Sequence, residues 1–148
     1  MKVVLISCVS KKKDYPCKAV ELYDSTLFKS AYEYAKRQNP DQIFILSAKY
    51  GLLKIDEIIE PYNETLNAKS IYECKTWAEA VIRNLRENYD LQNDEFVFLA
   101  GDRYRKYLLP YIKNFSIPLE GLPIGKQLKY YKDNLRGAKV EWTVRNIT

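Results

Sequence analysis

Three apolar stretches of this sequence each end in polar residues that could bind an anion or an aromatic ring. Serine hydroxyls and lysine ammonium groups donate hydrogen bonds to phosphate oxygens, and tyrosine rings stack on nucleobases. An aspartate could position water for an attack. The polar residues that follow the three stretches are Ser7, Cys8, Ser10, Lys11, Lys12 and Lys13, then Ser47, Lys49, Tyr50 and Gly51, and finally Gly101 and Asp102.

The order of the predicted elements brings these turns to one edge of a sheet. The stretches Lys2–Ser7, Ile43–Leu46 and Glu95–Ala100 are mainly apolar on both faces, as in parallel strands covered by helices. Because helical patterns lie between them, we predict a single three-layer α/β/α domain over residues 1–148, with a mostly parallel sheet of about four strands. Open sheets of this kind bind ligands at the carboxyl ends of their strands, so we expect a polar pocket there.

Local signals place the remaining elements. Asp24 or Ser25 caps a helix that ends near Pro40, because residues before proline avoid the helical region. The other predicted elements are a helix from Ser70 to Tyr89, a helix from Gly101 that Pro110 kinks or ends, a short strand at Ile117–Leu119, a helix from Pro123 to Gly137 and a terminal strand at Val140–Val144. Residues 138–148 thus form either a last strand or a tail.

The composition excludes several kinds of catalytic site. The chain has no histidine, which excludes Ser-His-Asp and Cys-His catalysis and leaves acid–base work to Asp, Glu, Lys, Tyr or Cys. Its three cysteines, Cys8, Cys17 and Cys74, are odd in number and irregular in spacing, which argues against a disulfide framework and against a zinc site. We therefore expect no metal and no cofactor.

Charge and hydropathy indicate the partners and the location. The net charge of +5 favours a polyanionic partner, such as nucleic acid or a nucleotide. No apolar run approaches the roughly 20 residues that span a bilayer. The first residues also lack the pattern of a signal peptide. The sequence therefore predicts a cytoplasmic protein with no membrane partner.

Each candidate residue also has a purely structural interpretation. The run 11–13 contacts phosphate or lies in a solvated loop, and it is not a P-loop because it lacks the glycine-rich frame. Cys8 is a nucleophile activated by a nearby lysine, or a small residue that fits the strand end. Tyr50 stacks on a base or shapes its turn, and Asp102 acts as a catalytic carboxylate or caps a helix. Gly51 is expected to adopt a positive φ.

Several segments, in the same order along the chain, resemble the YaaA family of peroxide-stress proteins. These segments are Ile6-Ser7 with the lysines that follow, Tyr23 in Glu-Leu-Tyr-Asp-Ser, the central motif Leu46-Ser-Ala-Lys-Tyr-Gly-Leu-Leu53, then Asp56 and Pro61-Tyr62, and Ala100-Gly-Asp-Arg-Tyr104. The resemblance implies a compact relative of that family. It also implies a DNA-binding protein linked to oxidative damage, with no established metal or cofactor.

A nucleic-acid-binding protein, with DNA as the expected partner, is the first function that fits these observations. Tyrosine rings would then stack on bases, and basic side chains would contact phosphates. The stacking residues would be Tyr50 and Tyr62, and the phosphate contacts would come from Lys11, Lys12, Lys13, Lys49 and Arg105.

An enzyme that processes a nucleobase or nucleotide, such as a hydrolase of N-glycosidic bonds, is the alternative. Lysines would hold the phosphate, serines would orient it and tyrosines would sandwich the base. These residues are Lys11 and Lys12, Ser10 and Ser47, and Tyr23, Tyr50 and Tyr62; the candidate catalytic carboxylates are Asp24, Asp56 and Asp102. A third interpretation is an interaction domain in which this rim is only structural.

Overall fold

The computed structural model describes the backbone of residues 1–147 and the side chains of residues 1–135. Its main sheet has five strands in the order β4-β3-β1-β6-β7, and a second sheet pairs β2 with β5. The strands are β1 (Lys2–Ser7), β2 (Cys17–Lys18), β3 (Gln42–Ser47), β4 (Gly51–Lys54), β5 (Ile58–Ile59), β6 (Glu95–Leu99) and β7 (Phe115–Ser116). The helices are α1 (Ala19–Leu22), α2 (Thr26–Lys36), α3 (Ile71–Arg86), α4 (Asp102–Arg105) and α5 (Ile124–Ile147), with 3-10 turns at Leu66–Ala68 and Leu109–Tyr111.

Strand β1 is the centre of the sheet because its side chains are apolar on both faces. Its residues 3–6 are at most 1% exposed. Parallel β3 and β6 flank it, with Val4 opposite Ile43 on one side and Val97 on the other. The three predicted strand ends therefore lie at the same edge of the sheet.

Helices cover both faces of this sheet. The chain passes from β1 through α2 to β3 on one side, and then from β3 past α3 to β6 on the other side. Crossovers between parallel strands are right-handed. Because the connection from β1 to β3 and the connection from β3 to β6 run in opposite directions across the sheet, α2 and α3 lie on opposite faces. Helix α5 packs along α2, where Tyr34 and Tyr130 share a hydrogen bond of 3.0 Å. The fold is the three-layer α/β/α domain expected from the sequence.

Two helices begin at the capping residues from which their starts were predicted. The Ser25 hydroxyl accepts a hydrogen bond of 3.1 Å from the Phe28 amide at the start of α2. At the start of α3, Ser70 and Glu73 form a reciprocal capping box, which satisfies two amides that the helix itself leaves free.

The sheet is larger than predicted because the chain continues as a further strand, β4, after the turn that follows β3. Gly51 has a φ of +73°, as expected, and this lets the chain reverse so that β4 pairs antiparallel with β3. The sheet thus has five strands rather than about four. The predicted strand at Ile117–Leu119 is displaced, since the parallel pairing with β6 occurs at β7, two residues earlier.

The predictions for the last third of the chain need correction. The helix expected from Gly101 is shorter than predicted: α4 ends at Arg105, and Pro110, expected to kink or end it, lies inside the separate 3-10 turn Leu109–Tyr111. The strand expected at Val140–Val144 is wrong, because α5 continues through Gly137 to Ile147. A glycine inside a helix costs only about 1 kcal/mol relative to alanine, which does not by itself end the helix. None of the described helices has the length and apolar character needed to cross a membrane.

Candidate functional site

A pocket lies where the chain direction across the sheet reverses. From the end of β1 the chain moves toward β3, whereas from the end of β6 it moves the opposite way, toward β7. Doubly wound sheets bind ligands at such a switch point. A cavity of about 380 Å³ is formed there by both strand ends, α2 and the first turns of α5. Its volume falls within the range of about 300–1,000 Å³ that is typical of small-molecule sites.

The cavity combines an apolar wall with several polar side chains. The wall includes Leu27, Phe28 and Ala31 of α2, together with Leu119 and Leu122. The polar and charged residues of the lining include Ser7, Asn67, Asp102, Arg103, Arg105 and Gln127. Apolar walls with a few placed polar groups are the usual composition of sites for organic ligands.

Arg105 supplies a positive charge to this cavity. Its side chain is half-buried, and one guanidinium nitrogen donates a hydrogen bond of 2.7 Å to the Ala100 carbonyl at the end of β6. None of the ion pairs among residues 1–135 includes Arg105. The guanidinium is therefore held by the backbone while its charge is not neutralised by a carboxylate, which suits it to an anionic ligand.

A cluster of hydroxyl groups lies at the end of β3, and we call Tyr23, Ser47, Tyr50 and Tyr62 the tyrosine cluster. The Ser47 hydroxyl donates to the Tyr62 hydroxyl at 2.7 Å, and the Tyr62 and Tyr23 hydroxyls share a hydrogen bond of 2.6 Å. Ser47 also accepts from the Tyr50 amide at 3.0 Å, which closes the turn into β4. Burial raises the pKa of Tyr23 and of Tyr62, so both phenols stay protonated at neutral pH.

Lys12 covers the tyrosine cluster. It forms a backbone bridge with Tyr23, and its ammonium group lies 4.4 Å from the centre of the Tyr62 ring. This is a cation–π contact. Burial lowers the pKa of Lys12 from its ordinary value, partly offset by the nearby Cys8 thiol. Lys12 has thus lost part of its solvation to its surroundings.

Cys8 lies in the lining of the cavity, next to Tyr104. Its side chain lines the cavity, is 8% exposed and donates a weak hydrogen bond of 3.5 Å to the Tyr104 hydroxyl. Tyr104 in turn accepts from the Leu66 amide at 3.2 Å. Burial, with a smaller contribution from Cys8, raises the pKa of Tyr104 to about 12. The thiol therefore lies beside the neutral Tyr104 phenol in the cavity lining.

Comparison with known proteins gives a family for this chain. Residues 3–133 match the model of a family described as a family of unknown function (DUF6884). The chain belongs to the DUF6884 family. The matched range includes the ends of β1 and β6 and every residue of the cavity lining.

One curated relative is similar over part of the DUF6884 domain. Over 112 residues the chain is 25% identical to a 1,3-beta-galactosyl-N-acetylhexosamine phosphorylase of Lachnoclostridium phytofermentans. The aligned segment covers 68% of this chain but only 16% of the phosphorylase. The resemblance to the YaaA family stays a prediction.

The DUF6884 fold divides the predicted site residues into three groups. Those that line the cavity are Ser7, Cys8, Asp102 and Arg105. Those that lie in or against the tyrosine cluster are Lys12, Tyr23, Ser47, Lys49, Tyr50 and Tyr62, with Gly51 directly after Tyr50. Those that lie outside both are Ser10, Lys11, Lys13, Asp24 and Asp56.

The three predicted carboxylates have different environments. Asp102 is the one that lines the cavity. Asp24 forms an ion pair of 2.8 Å with Lys29 at the surface, and this partner lowers the pKa of Asp24. Asp56 is exposed in the turn between β4 and β5. Among residues 1–135, no three acidic or thiol side chains come together as a metal site would require.

Several residues of the site were not predicted as such. Asn67, Gln127 and Tyr131 line the cavity, and the Trp77 indole donates a hydrogen bond of 2.8 Å to the Ser47 carbonyl. In the sequence Trp77 and Tyr131 occupy apolar positions of helical patterns, which predict burial and do not mark a site. Gln127 gave no signal, because its position depends on where α5 packs.

Proposed function

We propose that this DUF6884 domain binds a nucleotide in the cavity at the switch point. The observation that carries the proposal is the half-buried Arg105 guanidinium, which forms no ion pair among residues 1–135 and lines a cavity with an apolar wall. A nucleotide has both features that such a site complements, a phosphate and a flat aromatic base. The phosphate would contact Arg105 and Ser7, and the base would lie against Leu27 of α2 and Leu122.

The tyrosine cluster has a supporting role in this proposal. Its hydroxyls are hydrogen-bonded to one another, and the Tyr50 and Tyr62 rings pack edge to face with centres 5.6 Å apart. Rings and hydroxyls that are already engaged with each other offer a base less free surface than the partly exposed Leu27 and Leu122 of the cavity wall. The cluster holds the strand ends in place beside the cavity, and Lys12 adds positive charge.

Calorimetric titration tests the proposal. The panel contains AMP, CMP, GMP, UMP, adenosine, inorganic phosphate and the disaccharide unit that the name of the phosphorylase mentions. We expect AMP or another mononucleotide to bind and the disaccharide not to bind. Arg105→Ala should weaken nucleotide binding about tenfold or more, because hydrogen bonds to charged groups contribute about 1.5–3 kcal/mol. Arg83→Ala, an exposed arginine on α3, is the matched control.

Three results of the titration would contradict the proposal or favour another ligand. If no mononucleotide binds, or if Arg105→Ala and Arg83→Ala bind as the wild type does, the pocket is not a nucleotide site. Stronger binding of the disaccharide than of any nucleotide would favour a sugar ligand. Assay of the same samples for free base tests the hydrolase interpretation, in which Asp102 would act on the N-glycosidic bond.

Binding of single-stranded nucleic acid is the second candidate. The observation that favours it is the set of lysines outside the cavity: Lys11 and Lys49 are exposed beside the ends of β1 and β3, in a chain of net charge +5. A strand could present one nucleotide to the cavity and its flanking phosphates to these lysines. Its affinity should then fall steeply with salt, and Lys11→Ala with Lys49→Ala should reduce the salt dependence. Equal affinity at low and high salt would contradict it.

A further inference from the structure

We propose that Gln127 makes the pocket selective for a base that carries an amino group next to a ring nitrogen, as in adenine and cytosine. The inference rests on the proposed function and specifies it further. Gln127 lies in the first turn of α5, is half-buried and lines the cavity. It is therefore placed where a base against the wall of α2 would present one of its edges.

The orientation of the Gln127 amide is determined by one hydrogen bond. Its Nε2 donates to the Leu122 carbonyl at 2.8 Å. A carbonyl oxygen can only accept, so the nitrogen must face Leu122 and the Oε1 atom must occupy the other arm of the amide. The backbone around it is also fixed, because the Gln127 amide N–H donates to the Pro123 carbonyl at 2.9 Å.

This orientation leaves the side chain with unused capacity. Among the described side chains and amides, none donates a hydrogen bond to Gln127 Oε1, and one of the two Nε2 hydrogens is not used by Leu122. The half-buried amide thus offers one acceptor, Oε1, and one further N–H donor. A base matches this pair when it has an amino donor beside a ring-nitrogen acceptor. On the Watson–Crick edge adenine and cytosine have this pattern, whereas uracil and hypoxanthine carry a carbonyl oxygen in place of the amino group and the ring nitrogen next to the amino group of guanine is a donor.

A comparison of AMP with two close analogues tests the inference on the wild-type protein. AMP is compared with purine riboside 5′-monophosphate, which lacks only the amino group, and with IMP, in which an oxygen replaces it. A good bidentate contact discriminates by about 5- to 150-fold. We therefore expect AMP to bind at least fivefold more tightly than either analogue, and CMP more tightly than UMP.

A variant assigns the discrimination to Gln127. Gln127→Leu keeps the size of the side chain and removes both polar groups, so AMP and its analogues should then bind with equal affinity. Gln92→Leu, in an exposed turn remote from the cavity lining, should retain the wild-type ratio. Circular dichroism checks that the variants are folded; if Gln127→Leu is not, the wild-type comparison of AMP with its analogues decides alone.

The possible outcomes separate this inference from the proposed function. If AMP and purine riboside 5′-monophosphate bind equally to the wild type, Gln127 does not select the base, although the pocket still binds nucleotides. The same conclusion holds if Gln127→Leu keeps the preference. If no nucleotide binds, the proposed function fails and this inference fails with it.

Discussion

The Ser47 hydroxyl donates a hydrogen bond of 2.7 Å to the Tyr62 hydroxyl. Ser47 is fully buried at the end of β3, and its oxygen also accepts from the Tyr50 amide. One side chain thus fastens the turn into β4 to the segment that contains Tyr62. The sequence shows the segment around Ser47 and the segment Pro61-Tyr62 only one after the other along the chain. The hydrogen bond joins them in space.

Replacement of Ser47 by alanine should destabilise the domain. The change removes the donor to Tyr62 and leaves the Tyr50 amide without its acceptor, and unsatisfied buried polar groups cost about 1–3 kcal/mol. Urea unfolding, followed by tryptophan fluorescence, should show a loss of this size. Ser116→Ala, at an exposed position of β7, should change the free energy of unfolding by less than about 0.5 kcal/mol. Equal losses in both variants would contradict the role of Ser47.

Gly51 is needed for its backbone conformation rather than for space. Its φ is +73°, and a Cβ placed there would meet the Val81 side chain at 3.8 Å, an ordinary contact. Gly51→Ala should therefore cost about 1–2 kcal/mol through backbone strain alone. Gly101 has a φ of −64° and free space around it, so Gly101→Ala should be almost neutral. Thermal unfolding of the two variants compares them, and a smaller loss at Gly51 than at Gly101 would overturn the argument.

The central strands and the helix starts could be predicted because their signals are local. The apolar run of β1 identifies a strand buried on both faces, and Ser25 and Ser70 precede helices at the spacing of capping residues. Strand β4 could not be predicted in the same way. Gly51 indicates a turn whether or not the chain then pairs with β3, and the pairing depends on neighbouring strands.

The site was predictable only in part. The strand ends share one edge in any parallel sheet, so Ser7, Cys8 and Asp102 could be expected near one another. The opposite wall depends on α5, whose position is set by packing against α2, far away in sequence. Asp24 and Asp56 lie apart from the cavity because surface loops hold them, and no pattern in the sequence distinguishes such a carboxylate from one in a pocket.

Alkaline pH should destabilise the domain through its buried phenols. The pKa of Tyr104 is raised to about 12 from an ordinary value of 10.0, chiefly by burial. Between these two values the unfolded chain has lost the phenolic proton while the folded domain keeps it, so the stability contribution of Tyr104 is complete below pH 10 and falls as pH rises toward 12. Urea unfolding from pH 8 to 11 should show this decline.

A variant identifies the contribution of Tyr104 to this decline. Tyr104→Phe should be less stable at pH 8, because it loses the hydrogen bond from the Leu66 amide. Its stability should nevertheless fall less between pH 10 and 11 than that of the wild type. Tyr15→Phe, at a side chain that is 51% exposed, is the matched control and should keep the decline in stability of the wild type. A decline in Tyr104→Phe as steep as in the wild type would exclude Tyr104 as its source.

Thiol labelling should report both burial and occupancy of the cavity. Cys17 is half-buried, Cys8 is 8% exposed at the base of the cavity, and Cys74 is fully buried. Iodoacetamide should therefore alkylate Cys17 first, Cys8 more slowly and Cys74 last, as measured by mass spectrometry of the native protein. A bound nucleotide would close the path to Cys8, so saturating AMP should slow its alkylation severalfold while Cys17, outside the cavity, reacts at an unchanged rate. Unchanged alkylation of Cys8 would place AMP elsewhere.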